Sequence, residues 1–198
     1  MIKRLIPMAM ILTIILPSRA TAQSCSALIH IGDSTTVSMG KELERQYELR
    51  GFPNVIVSAG NGRSITKSRN PDPLSGIKAV GYWKARTPQG RCWVIALGTN
   101  DATATNKQER ITLMKQALAG DKALWINVAM NSPTRPKYNG FNAIVWNLLL
   151  IHNGVDIFDW ASVVKPEWFT PDKIHYTAEG SRQRATVLAN AANFQFHR

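Results

Sequence analysis

The chain has 198 residues and a strong excess of basic over acidic side chains, 24 against 13, which gives a formal net charge of +11. This length suits one domain with a sizeable core. The positive charge favours contact with anionic cell-wall polymers or lipid head groups, or it serves solubility alone. The chain has no long lysine- and arginine-rich block with interleaved aromatics, so nucleic acid is not an expected partner.

Residues 1–22 have the pattern of a secretory signal peptide. Two basic residues precede an apolar run over 5–16, and a small-x-small cleavage sequence ends at residue 22. The run contains Pro7 and is short for a bilayer span, which needs roughly 20 residues. We expect a secreted or periplasmic mature domain over 23–198, with charge +8 and no membrane span, since the three basic residues of the leader are removed. The alternatives are an uncleaved anchor and a lipoprotein modified at Cys25.

Strand and helix patterns alternate along the mature chain. Five short runs rich in isoleucine and valine are typical of strands that are buried on both faces. This alternation indicates βαβ units and a mostly parallel sheet covered by helices. The predicted strands cover 27–31, 54–58, 92–97, 124–130 and 155–158. The predicted helices cover 36–49, 77–84, 109–119, 142–152 and the segment from the cap residue Thr177 to about 193.

The mature chain keeps two cysteines, Cys25 and Cys92, and each lies just before a predicted strand. If those strands are parallel neighbours, both thiols lie at the same end of the sheet. An oxidising compartment then favours a disulfide. Closing this loop of about 68 residues would stabilise the fold by about 4 kcal/mol in the chain-entropy treatment. Two free buried cysteines are the alternative.

Three short segments supply the parts that an acyl-transfer enzyme needs: a nucleophile, an amide donor for an oxyanion, and a base with a carboxylate. Two of them follow predicted strands directly, and the carboxyl ends of parallel strands meet at the edge where such sheets bind ligands. The third follows the last strand by a loop that can return to this edge. The segments are Gly32-Asp33-Ser34, Gly98-Thr99-Asn100-Asp101 and Asp172-Lys173-Ile174-His175.

Each candidate catalytic residue has a chemical role and an ordinary alternative. Ser34 is the candidate nucleophile beside a helix N-terminus, or it merely caps that helix. His175 is the candidate general base, with Asp172 orienting its imidazole, or the pair forms a surface turn. The side-chain amide of Asn100 is the candidate oxyanion donor, together with the N–H groups of Ser34 and Gly60, or it is a turn residue.

Five residues, Gly60 among them, are candidates for binding the substrate or its oxyanion. Gly60 lets its N–H approach a substrate without an intervening side chain, and Gly62 can take this role instead. Trp168 and Phe169 are candidate walls of the acyl or leaving-group pocket. Arg63 is a candidate contact for an anionic substrate, or else a solvated surface arginine.

The sequence indicates no cofactor and no metal. It lacks the third glycine of a dinucleotide site, a phosphate loop, zinc-ligand spacing and a Gly-x-Ser-x-Gly elbow. The bulky aromatic residues of the strands and helices are instead predicted to form core: Trp93, Trp125 and Trp146.

In this order, the segments resemble the SGNH hydrolases, also called the GDSL esterase/lipase family, which are known by four spaced blocks. The first segment is similar to the nucleophile block and Gly60 to the glycine of the second block. The other two segments are similar to the Gly-x-Asn-Asp and Asp-x-x-His blocks. The resemblance spans 32–175. It implies a flavodoxin-like three-layer α/β/α sandwich with a mostly parallel five-stranded sheet, and ester hydrolysis without a metal or other cofactor.

One departure from the family bears on the substrate. Thr35-Thr36 follows the serine where many lipolytic members carry leucine or another apolar residue. Together with secretion, basic charge and compactness, this favours short acyl esters, with an O-acetylated cell-envelope glycan as the substrate hypothesis. The alternatives are an O-acyltransferase that uses the same acyl-enzyme, a lysophospholipase- or thioesterase-type lipolytic enzyme, and a non-catalytic envelope-binding module. The sequence does not indicate an oligomeric state.

Overall fold

The computed structural model describes residues 25–69 and 74–197, and the signal peptide predicted over 1–22 lies outside them. Strands and helices alternate along the described chain. The strands are β1 (Leu28–Gly32), β2 (Val55–Ala59), β3 (Cys92–Ala96), β4 (Lys122–Ile126) and β5 (Ile157–Phe158). The helices are α1 (Ser34–Val37), α2 (Gly40–Glu48), α3 (Gly76–Lys84), α4 (Lys107–Leu118), α5 (Gly140–His152), α6 (Trp160–Val163) and α7 (Ala178–Phe196), and a 3₁₀ turn spans Pro166–Trp168.

The strands form one parallel sheet in the order β2-β1-β3-β4-β5. Ile29 of β1 lies opposite Ile56 of β2 and Trp93 of β3, so these three adjacent strands share one register. The chain leaves β1 to one side for β2 and returns on the other side for β3. Ligands bind at such a switch point in this class of fold. The predicted flavodoxin-like three-layer α/β/α fold is confirmed, and all four strand pairings are parallel.

Helices cover both faces of the sheet, and every residue of β1 and β3 is buried. Successive side chains of a strand point to opposite faces. Ile31 and Ile95 therefore pack with α3, α4 and α5, whereas Leu28 and Val94 pack with α2 and α7. The tryptophans predicted to form core are all buried in the first of these two layers: Trp93, Trp125 and Trp146.

The segment 36–49, predicted as one helix, forms two helices with a break at 38–39. The apolar spacing continues across this break, which is why the sequence pattern did not reveal it. Asp33, and not Ser34, caps the short helix α1, because its carboxylate accepts a hydrogen bond from the Thr35 N–H. The turn after β1 therefore leaves the Ser34 hydroxyl available for other contacts.

The carboxyl-terminal part of the sheet is shorter than predicted. β4 begins earlier than expected and the segment 127–130 lies outside it, while β5 has only two residues. Helix α7 begins after Thr177 as predicted, since the Thr177 hydroxyl accepts a hydrogen bond from the Gly180 N–H. This cap fixes the start of α7, directly after the segment that contains Asp172 and His175.

A disulfide joins Cys25 to Cys92, as the strand positions predict, with the Cα atoms 5.5 Å apart. It ties the amino-terminal ends of the two central strands β1 and β3. We expect the Cys25→Ser/Cys92→Ser variant to lose about 4 kcal/mol of unfolding free energy, measured by urea denaturation. A reductant should destabilise the wild type to the same level and leave the variant unchanged. An equal stability of both oxidised proteins would contradict this prediction.

His30 is a buried titratable group in β1. Its Nδ1 lies 2.9 Å from the Tyr47 hydroxyl, and its Nε2 has no hydrogen-bond partner among the described residues. Burial, reinforced by the positive charge of Arg184, lowers the pKa of His30 to about 3. The folded protein therefore holds this imidazole neutral at pH values where the unfolded chain protonates it.

The stability of the fold should fall as the pH falls through the window between 6.5 and about 3, because the unfolded state then binds the extra proton. Between pH 7 and pH 5 the loss due to His30 is about 2 kcal/mol. Urea unfolding of the wild type and of His30→Gln at pH 7 and pH 5 isolates the contribution of His30 to this loss. All other titrating groups are the same in the two proteins. An identical pH dependence of the two proteins would contradict the prediction.

Candidate active site

The carboxyl ends of β1, β2 and β3 lie side by side, so the residues that follow these strands converge at one edge of the sheet. Ser34 comes second after β1 and is the first residue of α1. Oδ1 of Asp33 accepts hydrogen bonds from the Thr35 N–H and hydroxyl at 2.9 and 2.7 Å, which fixes the turn. Gly32 is required there because a Cβ atom would collide with the Thr36 side chain. The Ser34 side chain is thus held at the partly exposed edge.

Ser34, His175 and Asp172 form one hydrogen-bonded chain although 141 residues separate the serine from the histidine. Ser34 Oγ lies 3.0 Å from His175 Nε2, and His175 Nδ1 lies 2.7 Å from Asp172 Oδ2. With the Nδ1 proton donated to the carboxylate, Nε2 is an acceptor for the serine hydroxyl. A hydroxyl, an imidazole and a carboxylate at these distances can generate a nucleophile.

The carboxylate of Asp172 is held by its own loop. Its Oδ1 accepts hydrogen bonds from the N–H groups of Ile174 and His175 at 2.9 and 3.0 Å, and from the Thr170 hydroxyl at 2.8 Å. Burial by itself raises the pKa of Asp172, but these hydrogen bonds and the one to the His175 imidazole outweigh it and hold the pKa well below its usual range. Asp172 is therefore ionised at neutral pH and fixes the orientation of the imidazole.

The side chain of Asn100 is held at both ends. Its Nδ2 donates to the Arg63 carbonyl at 2.9 Å, and its Oδ1 accepts from the Tyr138 hydroxyl at 3.1 Å. An amide nitrogen has two hydrogens, so one remains to donate to another acceptor. The two contacts fix the plane of the amide before any ligand binds.

The glycine predicted as an oxyanion donor already makes a hydrogen bond. The Gly60 N–H donates to the Gly32 carbonyl at 3.2 Å, which extends the pairing of β1 with β2. A role for Gly60 in binding an oxyanion requires that this N–H be shared between the Gly32 carbonyl and the oxyanion. Gly62 lies in the left-handed region with φ +68°, and its N–H has no acceptor among the residues at 25–69 and 74–197. The two glycines stay alternative predictions for this role.

Arg63 is buried, with 2% of its surface exposed, so the alternative of a solvated surface arginine is wrong. Its guanidinium donates to the Ser58 carbonyl and hydroxyl at 2.6 and 3.2 Å, which anchors the loop after β2. The Arg63 carbonyl in turn positions Asn100. Contact of Arg63 with an anionic substrate stays a prediction that this burial does not favour.

Two clefts flank the edge of the sheet. Phe169 lines one of about 360 Å³ with Met130 and Val164, and the half-buried Trp168 stacks on Trp160 at 5.9 Å nearby. The other cleft, about 400 Å³, is lined in part by Asn100, Gly62, Lys67, Arg69 and Tyr138. The side chains of His175 and Asp172 are 35% and 27% exposed. The site is therefore open to solvent.

Sequence reasoning missed three residues that hold the site in place. Tyr138 contacts the amide of Asn100, and Thr170 contacts the carboxylate of Asp172. Arg184 of α7 is buried, and its Nη1 donates to the carbonyl and hydroxyl of Thr35, next to Ser34. The contacts of Tyr138 and Arg184 join segments that are distant in the chain, so no local pattern identifies them, whereas Thr170 lies only two residues before Asp172.

The structure gives no sign of a metal centre in the part of the chain that it describes: no three histidine, cysteine, aspartate or glutamate side chains there are grouped so that they could hold an ion. Among the same residues, no helix is long and apolar enough to cross a membrane.

Fold comparison gives the class: the chain has the fold of the SGNH hydrolases. A putative SGNH hydrolase from Slackia heliotrinireducens matches with a TM-score of 0.61 and 17% identity, over 84% of this chain and 98% of that chain. Est24, a carbohydrate acetylesterase from Sinorhizobium meliloti, matches with a TM-score of 0.66 and 16% identity, over 86% of this chain and 99% of that chain. The resemblance predicted from the four sequence blocks is confirmed at the level of the fold.

In sequence, the chain is 22% identical over 172 residues to the putative peptidoglycan O-acetyltransferase YrhL of Bacillus subtilis. The match covers 86% of this chain but 24% of that protein, so the chain spans about a quarter of the length of this curated relative. No protein-family model matches the chain.

Proposed function

We propose that the protein is a secreted serine esterase that hydrolyses short-chain O-acyl esters, with O-acetyl groups on a cell-envelope glycan as the substrate class. One observation carries the proposal: Ser34 Oγ, His175 and Asp172 Oδ2 form a hydrogen-bonded chain with distances of 3.0 and 2.7 Å. The fold shared with a carbohydrate acetylesterase supports it. The signal peptide predicted over 1–22 and the domain over 23–198 would place this activity outside the cytoplasm.

The reaction has two half-reactions. His175 Nε2 takes the proton of Ser34 as the serine oxygen attacks the ester carbonyl, and collapse of the tetrahedral intermediate breaks the bond to the alcohol oxygen. The alcohol leaves with the proton from His175. Water then attacks the acyl-enzyme, His175 accepts its proton and returns one to Ser34, and the carboxylic acid is released. Asp172 stays ionised and stabilises the imidazolium that forms in each half-reaction.

The oxyanion of both tetrahedral intermediates would be bound by the free Nδ2 hydrogen of Asn100 and by backbone N–H groups. The Ser34 N–H has no acceptor among the described residues and lies at the start of α1. Gly60, or Gly62 in its place, would supply the third donor. One such donor is typically worth about 3–4 kcal/mol in the transition state, because its dipole is already oriented.

The preference for short acyl groups no longer rests on the pair Thr35-Thr36. Both side chains are buried beneath the site, where Thr35 contacts Asp33 and Thr36 packs against Gly32. The preference rests instead on the likeness to an acetylesterase and on a solvent-open site. An ester group on a bulky glycan can reach such a site without the displacement of a lid.

Turnover of p-nitrophenyl acetate, butyrate and octanoate by the mature protein tests the proposal. We expect acetate to be cleaved fastest, with Ser34→Ala setting the background rate. A far higher rate on octanoate would refute the short-acyl assignment and favour a lipolytic enzyme. If the wild type and Ser34→Ala are equally inactive on these esters and on an O-acetylated glycan, a non-catalytic envelope-binding module is the remaining interpretation.

O-Acyl transfer is the second candidate, because the sequence likeness is to a putative peptidoglycan O-acetyltransferase. The same acyl-enzyme would then pass its acyl group to a sugar hydroxyl in place of water. Addition of chitooligosaccharide to the acetate assay separates the two candidates. Acetylated sugar formed in preference to free acetate indicates a transferase, whereas unchanged acetate release indicates an esterase.

Tyr138 would position Asn100 for the oxyanion. We expect Tyr138→Phe to lower kcat for acetate hydrolysis about 5-fold with little change in KM, because one ordinary hydrogen bond of about 1 kcal/mol is lost from the donor that acts in the transition state. Tyr82→Phe on the exposed face of α3 is the matched control and should be unaffected. A change in KM alone would show that Tyr138 contacts substrate instead.

A further inference from the structure

Helix α5 carries large apolar side chains on the face that points away from the core. Ala143, Trp146 and Leu150 are buried on its inner face. The opposite face exposes four side chains by 58–73%, at spacings of three, four and three residues, which places them in one stripe along the helix. We call this set the α5 stripe: Phe141, Ile144, Leu148 and Ile151.

The α5 stripe is unusual for a helix at a protein surface. Such a helix normally has charged or polar residues on its outer face, and a helix that is apolar on all sides is normally buried. The sequence of α5 contains no lysine, arginine, aspartate or glutamate. From its first to its last member the stripe extends for about 15 Å at the rise of an α-helix. A contiguous exposed apolar patch of this kind marks an interaction surface.

Basic residues flank the stripe at both ends. No acidic residue occurs from Lys122 to Val155, a segment that contains the whole of α5. Arg135 and Lys137 are exposed just before the helix. At its other end Lys115 of α4 donates to the carbonyl of Asn153, directly after α5. An apolar face flanked by basic residues is the pattern of a helix that lies on an anionic lipid surface.

The same charges disfavour a second copy of the chain as the occupant. A two-fold interface places the same surface patch on both subunits. Pairing two α5 stripes in this way would bring Arg135 and Lys137 of one copy near the basic residues of the other, without acidic partners in the segment. An anionic bilayer supplies both the apolar phase and the opposite charge.

We propose that α5 docks the protein on an anionic lipid bilayer, with the α5 stripe in the acyl-chain boundary and the basic residues among the head groups. Tyr138 lies between Lys137 and the first residue of α5, and its hydroxyl contacts Asn100 in the candidate active site. Docking therefore places the membrane surface along one rim of that site. The proposal does not depend on the reaction that the site performs.

Co-sedimentation of the mature protein with vesicles tests the docking. We expect binding to vesicles of phosphatidylcholine with 30 mol% phosphatidylglycerol, and far weaker binding to phosphatidylcholine alone. Ile144→Ser/Ile151→Ser should lower the partition coefficient by at least about 10-fold, since two apolar anchors are lost. Leu49→Ser is the matched control, because Leu49 at the end of α2 is 67% exposed, close to the 65% of Ile151, but lies outside the stripe.

The variants should remain folded, because the replaced side chains are exposed, and turnover of a soluble ester without vesicles should be unchanged. Arg135→Gln/Lys137→Gln should weaken binding to the anionic vesicles only. Wild-type protein that stays in the supernatant with anionic vesicles would overturn the proposal. Equal binding of Ile144→Ser/Ile151→Ser and wild type to anionic vesicles would also overturn it. So would light scattering that shows a dimer of the wild type and a monomer of this variant.

Discussion

Ser34→Ala is expected to lower kcat for hydrolysis of p-nitrophenyl acetate by about 10⁶-fold, to the residual rate that the oxyanion donors and substrate binding supply alone. Among the described side chains the Ser34 hydroxyl forms a hydrogen bond only with His175, so its loss should leave the fold intact. Stopped assays at high enzyme concentration, together with circular dichroism and urea denaturation, measure both effects.

Covalent labelling makes this result specific to one hydroxyl. A sulfonyl fluoride should add one sulfonyl group to the wild type, located at Ser34 by peptide mass spectrometry, and none to Ser34→Ala. Ser38→Ala is the control, since Ser38 is exposed one turn further along and should not alter labelling. Undiminished turnover by Ser34→Ala would show that another group is the nucleophile, and the proposed function would be abandoned.

The sequence predicted the sheet well because its strands carry strong local signals. β1 and β3 are buried on both faces, and such strands have continuous apolar runs between turn residues. The same logic predicted the candidate site, because Ser34 and Asn100 lie in the turns that follow these strands. The carboxyl ends of neighbouring parallel strands always lie at the same edge of the sheet. Chain order and strand position together sufficed to predict that these residues lie at the same edge of the sheet.

Features that depend on packing between distant segments were not predicted. The hydroxyl of Tyr138 reaches Asn100 across 38 residues of sequence, and Arg184 reaches Thr35 across 149. The burial of Arg63 was missed although its contact is local, because the loop after β2 folds back on its own strand and a polar residue in a loop gives no sign of burial. Periodicity describes one element at a time and carries no information on which loops meet.

The break between α1 and α2 was missed for a different reason. Apolar residues recur with helical spacing on both sides of it, so the pattern over 36–49 is that of one helix. The break arises where the first turn is fixed to the site by Asp33 and the longer helix packs against β2 and α7. The turn that Asp33 fixes at the candidate site therefore interrupts a regular local pattern, as is common at functional sites.

Asp172→Asn is the second prediction with a large effect, and we expect it to lower kcat for acetate hydrolysis about 10⁴-fold. The asparagine oxygen can still accept the hydrogen bonds that Thr170, Ile174 and the His175 N–H donate to Oδ1. Its NH₂ group, however, then faces His175 Nδ1. The imidazole must accept there, so its proton moves to Nε2, and it can no longer take the proton of Ser34.

Stability separates this explanation from a general loss of structure. Asp172→Asn should unfold at a urea concentration near that of the wild type, whereas Asp172→Ala should lose the loop contacts as well and unfold earlier. KM for the acetate ester should change little in Asp172→Asn, because the variant alters proton transfer and not the space for substrate. Activity of Asp172→Asn within tenfold of the wild type would mean that the carboxylate does not set the tautomer of His175. The hydrogen-bonded chain would then be a structural feature of the loop, and the base would have to be sought elsewhere at this edge of the sheet.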